Sequence, residues 1–140
     1  MVNSRQKGAA FERECAKHIN NMLAETHIND RVKRNLDQYQ RKNLPDLKLR
    51  HINFECKNYG RRENNWYREK WWQQACDASA EGEIPILIFK FDYNPIRVTF
   101  PLHMLNSKID INPNHYPVAF TSLEDFLEIL KTEVQAWEED

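Results

Sequence analysis

The chain has 140 residues, 41% of them hydrophobic and 29% charged, which suits one soluble domain with a real core. No apolar run approaches the length of a membrane span, and MVNSRQKG lacks the apolar segment of a secretory signal, so the expected location is the cytosol. The net charge of −1 hides a division: residues 1–70 hold 16 Lys and Arg against 9 Asp and Glu, whereas residues 71–140 hold 4 against 12. That asymmetry predicts a basic working surface on an acidic, structural remainder, although accidental clustering gives the same numbers. Cys15, Cys56 and Cys76 are too scattered for a CxxC or CxxH site, which argues for free thiols over structural zinc or disulfides.

Along the chain, residues 5–24 read as an amphipathic helix with Phe11, Cys15, Ile19, Met22 and Leu23 in one stripe. RVKRNL (31–36) is a short strand candidate, and DQYQRKN is a polar loop. LPDLKLR and INFECKN read as two strands joined by a tight turn near His51. NNWYREKWWQQACDASAEG reads as a helix, with Asn64 or Asn65 as its cap and Gly82 just past its end. IPILIFKF is apolar on both faces and should be a central strand covered on both sides. IRVTF alternates with Ile96, Val98 and Phe100 inward, and PVAF adds a short strand. A final helix opens at TSLEDF, where Thr121 with Glu124 makes a capping box, and it carries an apolar face from Leu123 to Trp137. The order is helix, three strands, helix, strand, with a strand and a helix appended, so the class is mixed α/β.

The chemistry concentrates in residues 45–57, PDLKLRHINFECK. A strand has a side-chain period of two, so Ile52, Phe54 and Cys56 share one face and Glu55 and Lys57 the other. If 46–50 pairs with 52–57, Asp46 falls beside Glu55 and Lys57, and two carboxylates converge with one amine. Hard cations such as Mg²⁺ take oxygen ligands of this kind, and a neighbouring lysine suits hydrolysis by orienting water and offsetting phosphate charge. With 13 Glu and 10 Lys in the chain, chance alone supplies about one E-x-K triplet, so the triplet means nothing by itself. Its context raises it, because it follows Pro45-Asp46 at a hairpin's reach on the polar face of a half-buried strand.

PD followed by ECK, in this order of elements, resembles the PD-(D/E)XK nuclease superfamily and its restriction-endonuclease-like core. The similarity is nearest to Holliday junction resolvases of phage and archaeal type, in which a Gly-x-x-x-Glu on the first helix precedes the Asp; KGAAFERE supplies Gly8 and Glu12. The resemblance covers residues 5–101. It implies that Asp46, Glu55 and the backbone carbonyl of Cys56 ligate Mg²⁺, with Mn²⁺ able to substitute. Lys57 would then act on the nucleophilic water, and Glu12 would support or extend the metal site. The column Gly8–Glu12–Ala16 would let another backbone approach Glu12, while a solvated boundary glutamate fits the same pattern. Gln74-Ala75 matches a Gln-Ala pair that reaches the active site in relatives. Gln74 also sits between Tyr67, Trp71 and Ala78 at helical spacing, where a buried, satisfied amide is the alternative.

Arg31, Lys33, Arg34, Arg41, Lys42, Arg61 and Arg62 flank the motif and would contact DNA phosphates, which gives affinity without sequence reading. Tyr39, Tyr59 and Trp66 interleave with them and could stack on exposed bases. The expectation is a phage-encoded, Mg²⁺-dependent endonuclease on branched or double-stranded DNA in recombination, repair or packaging, acting in the bacterial cytoplasm without a membrane. Junction resolution would require a homodimer. A nuclease for flaps, ends or nicks, and a DNA-binding module without catalysis, are the alternatives.

Overall fold

The computed structural model describes residues 4–35, 44–61, 66–110 and 117–137. Five strands form one sheet: β1 (Leu47–Leu49), β2 (Ile52–Tyr59), β3 (Ile84–Phe91), β4 (Arg97–Pro101) and β5 (Val118–Ser122), in that spatial order. Only β2 and β3 run parallel, from Ile52 opposite Ile84 to Tyr59 opposite Phe91. A parallel neighbour requires a crossover, and α2 (Glu69–Asp77) supplies it. Helices α1 (Ser4–Leu23) and α3 (Leu123–Gln135) belong to the core on one face of the sheet, and α2 packs on the other. This mixed α/β sandwich is a restriction-endonuclease-like core.

Strand β3 explains the layering. Ile86 and Ile88 enter the core under α1 and α3, while Leu87, Phe89 and Phe91 enter the aromatic core under α2 with Trp71, Trp72 and Tyr67. A strand buried on both faces reads as one apolar run, which is what IPILIFKF is. The α1 stripe of Phe11, Cys15, Ile19, Met22 and Leu23 is buried as a unit. Val98 and Phe100 point inward from β4, and Ile96 just ahead of it is half-buried. Among the described residues no helix is long and apolar enough to cross a membrane.

Four local expectations change. The segment 31–34 is not a strand; it makes one isolated bridge, Arg34 to Leu47. The Asn20 side chain accepts from the Val32 N–H at 2.8 Å and donates to the Val32 carbonyl at 3.0 Å, so those backbone groups need no ladder. Helix α2 is shorter than the 64–81 pattern: Trp66 and Tyr67 leave it to stack toward Phe120, and Arg68 stands at the N-cap without a side-chain bond. Its end is taken over by Asn53, whose amide donates to the Ala78 carbonyl and to Ser79 Oγ. The Asn64 and Asn65 caps lie outside the described residues, and Gly82, at φ +85°, serves the turn into β3 instead. Finally, β5 runs to Ser122, so Ser122 rather than Thr121 caps α3, accepting from the Asp125 N–H at 3.1 Å.

Candidate active site

The β1–β2 hairpin builds the site. Its register sets Leu47 opposite Phe54 and Leu49 opposite Ile52, around a turn in which Arg50 adopts φ +52°. A left-handed arginine is unfavourable, and Asp30 clamps it with two 3.1 Å hydrogen bonds from the guanidinium. At the open end, the Asp46 N–H donates to the Phe54 carbonyl at 3.0 Å. The Asp46 carboxylate in turn accepts from the Cys56 N–H at 2.8 Å. Ile52, Phe54 and Cys56 face the α1 side, which leaves Asn53, Glu55 and Lys57 toward α2.

Asp46, Glu55 and Lys57 therefore meet. Lys57 Nζ lies 3.6 Å from Glu55 Oε1, and Gln74 Nε2 donates to the same oxygen at 3.0 Å. Both carboxyls are nearly removed from water, Asp46 at 8% exposure and Glu55 at 4%. Burial, followed by the charge of Asp46, pushes the Glu55 carboxyl up to about 8, and Lys57 offsets only part of this. Burial, together with the charge of Glu12, raises Asp46 to about 6 against the opposing Cys56 amide bond. The two carboxyls are close enough to interact directly, and each enters the shift of the other. Two acids forced together in a dry site share a proton because they cannot both ionise cheaply.

Glu12 is buried at the margin of this pair, and its Oε1 lies 3.5 Å from Arg34 Nε. Gly8, one turn before Glu12, is open: a Cβ built there would have no neighbour within 4 Å. Among the described residues no group of three or more His, Cys, Asp or Glu is arranged to hold a metal, and Glu12 acts on the pair through its charge, which raises Asp46. Gln74 does not sit inside a packed face. The buried residues of α2 are Trp71, Trp72 and Ala75, and Gln74 lies at the exposed margin, with its amide turned to Glu55. Gln73 points away and binds Asp77.

The basic residues divide. Arg34 joins Glu12, whereas the Arg31 guanidinium donates to the Ile28 and Asp30 carbonyls, next to the hairpin turn and away from the carboxyl pair. Lys33 is exposed, and Arg61 is exposed just past β2. Arg41, Lys42, Arg62 and Tyr39 lie outside the described residues. Two cations that the sequence reading passed over stand at the same sheet end as Lys57. Lys7 pairs with Asp92 at 2.8 Å, where the Asp92 N–H bonds the Tyr59 carbonyl. Arg68 lies over Tyr59 and Trp71. No local pattern links residues 85 positions apart, and the sequence held no signal for the Lys7 pair.

A protein family described as "Phage putative PDDEXK endonuclease" matches residues 3–139. The chain belongs to that family. The match runs beyond the 5–101 stretch that carries the motifs and takes in β5 and α3. A search of curated proteins found no match. Membership in this PD-(D/E)XK family gives the coarse class, a phage nuclease with DNA as substrate.

Proposed function

We propose that this PD-(D/E)XK chain hydrolyses DNA phosphodiester bonds with a divalent cation held by Asp46, Glu55 and the Cys56 carbonyl. The observation that carries the reading is the buried Asp46–Glu55 pair, two carboxyls in contact with an amine 3.6 Å away. The donors are all oxygen, because the Cys56 thiol faces the core, and such a set fits Mg²⁺ or Mn²⁺ rather than a soft metal. When bound, the cation supplies Lewis-acid activation of water and charge neutralisation at the phosphate. The chain's own groups do the rest. The Cys56 N–H fixes one Asp46 oxygen, Gln74 holds Glu55 Oε1, and Lys57 presents a positive charge where the attacking water and the phosphate oxygens must meet. Both acids have to be ionised before both serve as ligands.

Arg61, and Arg62 beside it in the sequence, would hold phosphates after the active strand. A Holliday junction is the substrate we favour within this class, because the Gly8–Glu12, Asp46 and Glu55–Lys57 order is similar to that of resolvases. Two symmetric cuts need two sites, so junction resolution requires a twofold homodimer. Trp66, 55% exposed over Phe120, is the better interface candidate. Trp72, by contrast, belongs to the chain's own core at 4% exposure. Nicking of supercoiled plasmid with Mg²⁺ or Mn²⁺, abolished by chelator, is the expected result, and undiminished nicking under chelation rejects the metal role. Sedimentation beside a four-way-junction assay tests the substrate. A monomer that cuts flaps or duplex but leaves junctions whole moves the reading to the alternative nuclease and rejects the resolvase.

A further inference from the structure

We infer that Tyr59 is a stacking platform for one unpaired base beside the scissile phosphate, so that the bound substrate is DNA in which a nucleotide is unpaired at the cleavage point, whether opened at the centre of a branched junction or already free in a bulge or flap. The inference rests on the nuclease reading above and extends it to the form of the substrate.

Strand period places Tyr59 on the same face as Glu55 and Lys57. It lies two positions beyond Lys57, about 7 Å along the strand, which is close to one nucleotide step. A phosphate held at Lys57 therefore puts its neighbouring nucleoside near Tyr59. The Tyr59 ring is already oriented: it packs on Trp71 with centroids 4.9 Å apart and planes 31° from parallel. Trp71 is 1% exposed and rests in turn on Phe89 and Phe91, so the platform has a rigid base.

Arg68 decides which face of Tyr59 is open. Its guanidinium carbon lies 5.3 Å from the Tyr59 centroid and 5.5 Å from that of Trp71. With 4.9 Å between the two rings, the three centres form a nearly equilateral triangle. A guanidinium on the far face of a ring stacked on Trp71 would lie from Trp71 by roughly the sum of the other two spacings, so Arg68 lies over Tyr59 on the side it shares with Trp71. Among the described residues, the face of Tyr59 away from Trp71 is left as the open one, in keeping with its 40% exposure. An aromatic ring backed on one side by a second ring and a cation is the arrangement that takes a base on its open face. Bases within a duplex are already stacked on each other and cannot use this ring without leaving the helix. Trp66 is more exposed but belongs elsewhere, against Tyr67 and Phe120.

The test uses the full chain in chelator, where binding is read without cleavage. Two duplexes identical except for one extrahelical 2-aminopurine are the probes. Wild type is expected to bind the bulged duplex about ten-fold tighter than the paired one and to quench the 2-aminopurine. Tyr59→Leu keeps apolar bulk on Trp71 without a π-face; it should bind both duplexes alike, at the wild-type affinity for the paired one, and leave the fluorescence unquenched. Tyr59→Phe should retain both effects. Equal binding of the two duplexes by wild type, or a preference that survives in Tyr59→Leu, overturns the inference. Plasmid nicking without any bulge preference sinks this inference alone, whereas quenching and preference in a protein that cuts no DNA sink the nuclease reading alone.

Discussion

Strand β2 carries two polar clusters on one face, and they obey opposite physics. At its N-terminal end the buried Asn53 accepts from Lys48 at 2.8 Å and donates to Ser79 Oγ and Glu83 Oε1 at 3.1 and 3.0 Å. Glu83 also accepts from Lys48 and from the Ala80 N–H. The Lys48 hydrogen bond, with those of Ala80 and Asn53, holds its carboxyl below the usual range. Two residues along the strand, Glu55 has a lysine, an amide and another carboxyl as neighbours, and its carboxyl is pushed up instead. The first cluster has a donor for each acceptor and locks α2 and the turn into β3 onto the sheet. In the second, two acids compete for too little positive charge, an arrangement that costs stability and fits a site waiting for a cation.

The largest contrast should come from the lysines. Lys57→Ala is expected to lower cleavage by about two to four orders of magnitude while the fold persists, as for loss of a group acting on the proton or charge of the reacting centre. Lys48→Ala should leave cleavage near wild type. Single-turnover rates of supercoiled-plasmid nicking decide this, and equal losses in both variants would erase the distinction.

Stability against pH should also separate the ends. Glu55 holds in the folded state a proton that the unfolded chain has already released, so the metal-free protein is most stable at low pH on this account. Its contribution falls from about pH 4.5 and is lost as pH rises through about 8, with Asp46 adding a fall between 3.8 and about 6. Glu83 has the opposite sign: its stabilisation is present above its unfolded value and lost as pH falls below it. Denaturant unfolding across pH 4 to 9 should show Glu55→Gln gaining roughly 2 to 4 kcal/mol over wild type at the alkaline end. No gain would mean that the carboxyl pair is not under strain.

Smaller effects belong to the satisfied cluster. Asn53→Ala leaves partly buried partners unmatched and should cost about 1 to 3 kcal/mol in chemical denaturation. Lys48, with a side chain 47% exposed, should cost less than about 1 kcal/mol when removed.

Much of this site was legible because a hairpin makes its own partners. The alternation of INFECK separates Cys56 from Glu55 and Lys57, and a tight turn near His51 brings Asp46 back to them with no distant element involved. What could not be read was decided across the chain. Asn20 takes up the backbone of Val32 and removes the expected first strand. Trp66 and Tyr67 prefer the β5 aromatic ring to another helical turn, and Asn53 ends α2 early. The longer helix predicts Gln74 mid-face; in the shorter one it stands at the edge and still meets Glu55. Arg34 looked like one more phosphate contact, and its pairing with Glu12 depends on how the segment after Asn20 crosses the hairpin.

The two ends of β2 can be compared in one titration. Calorimetric binding of Mn²⁺ to wild type, Glu55→Gln and Glu83→Gln asks directly whether the strained carboxyl pair is the cation site. The expected result is a single class of binding in wild type and Glu83→Gln, weakened at least about ten-fold in Glu55→Gln. Mn²⁺ binding that survives unchanged in Glu55→Gln, or that is lost in Glu83→Gln alone, would contradict it.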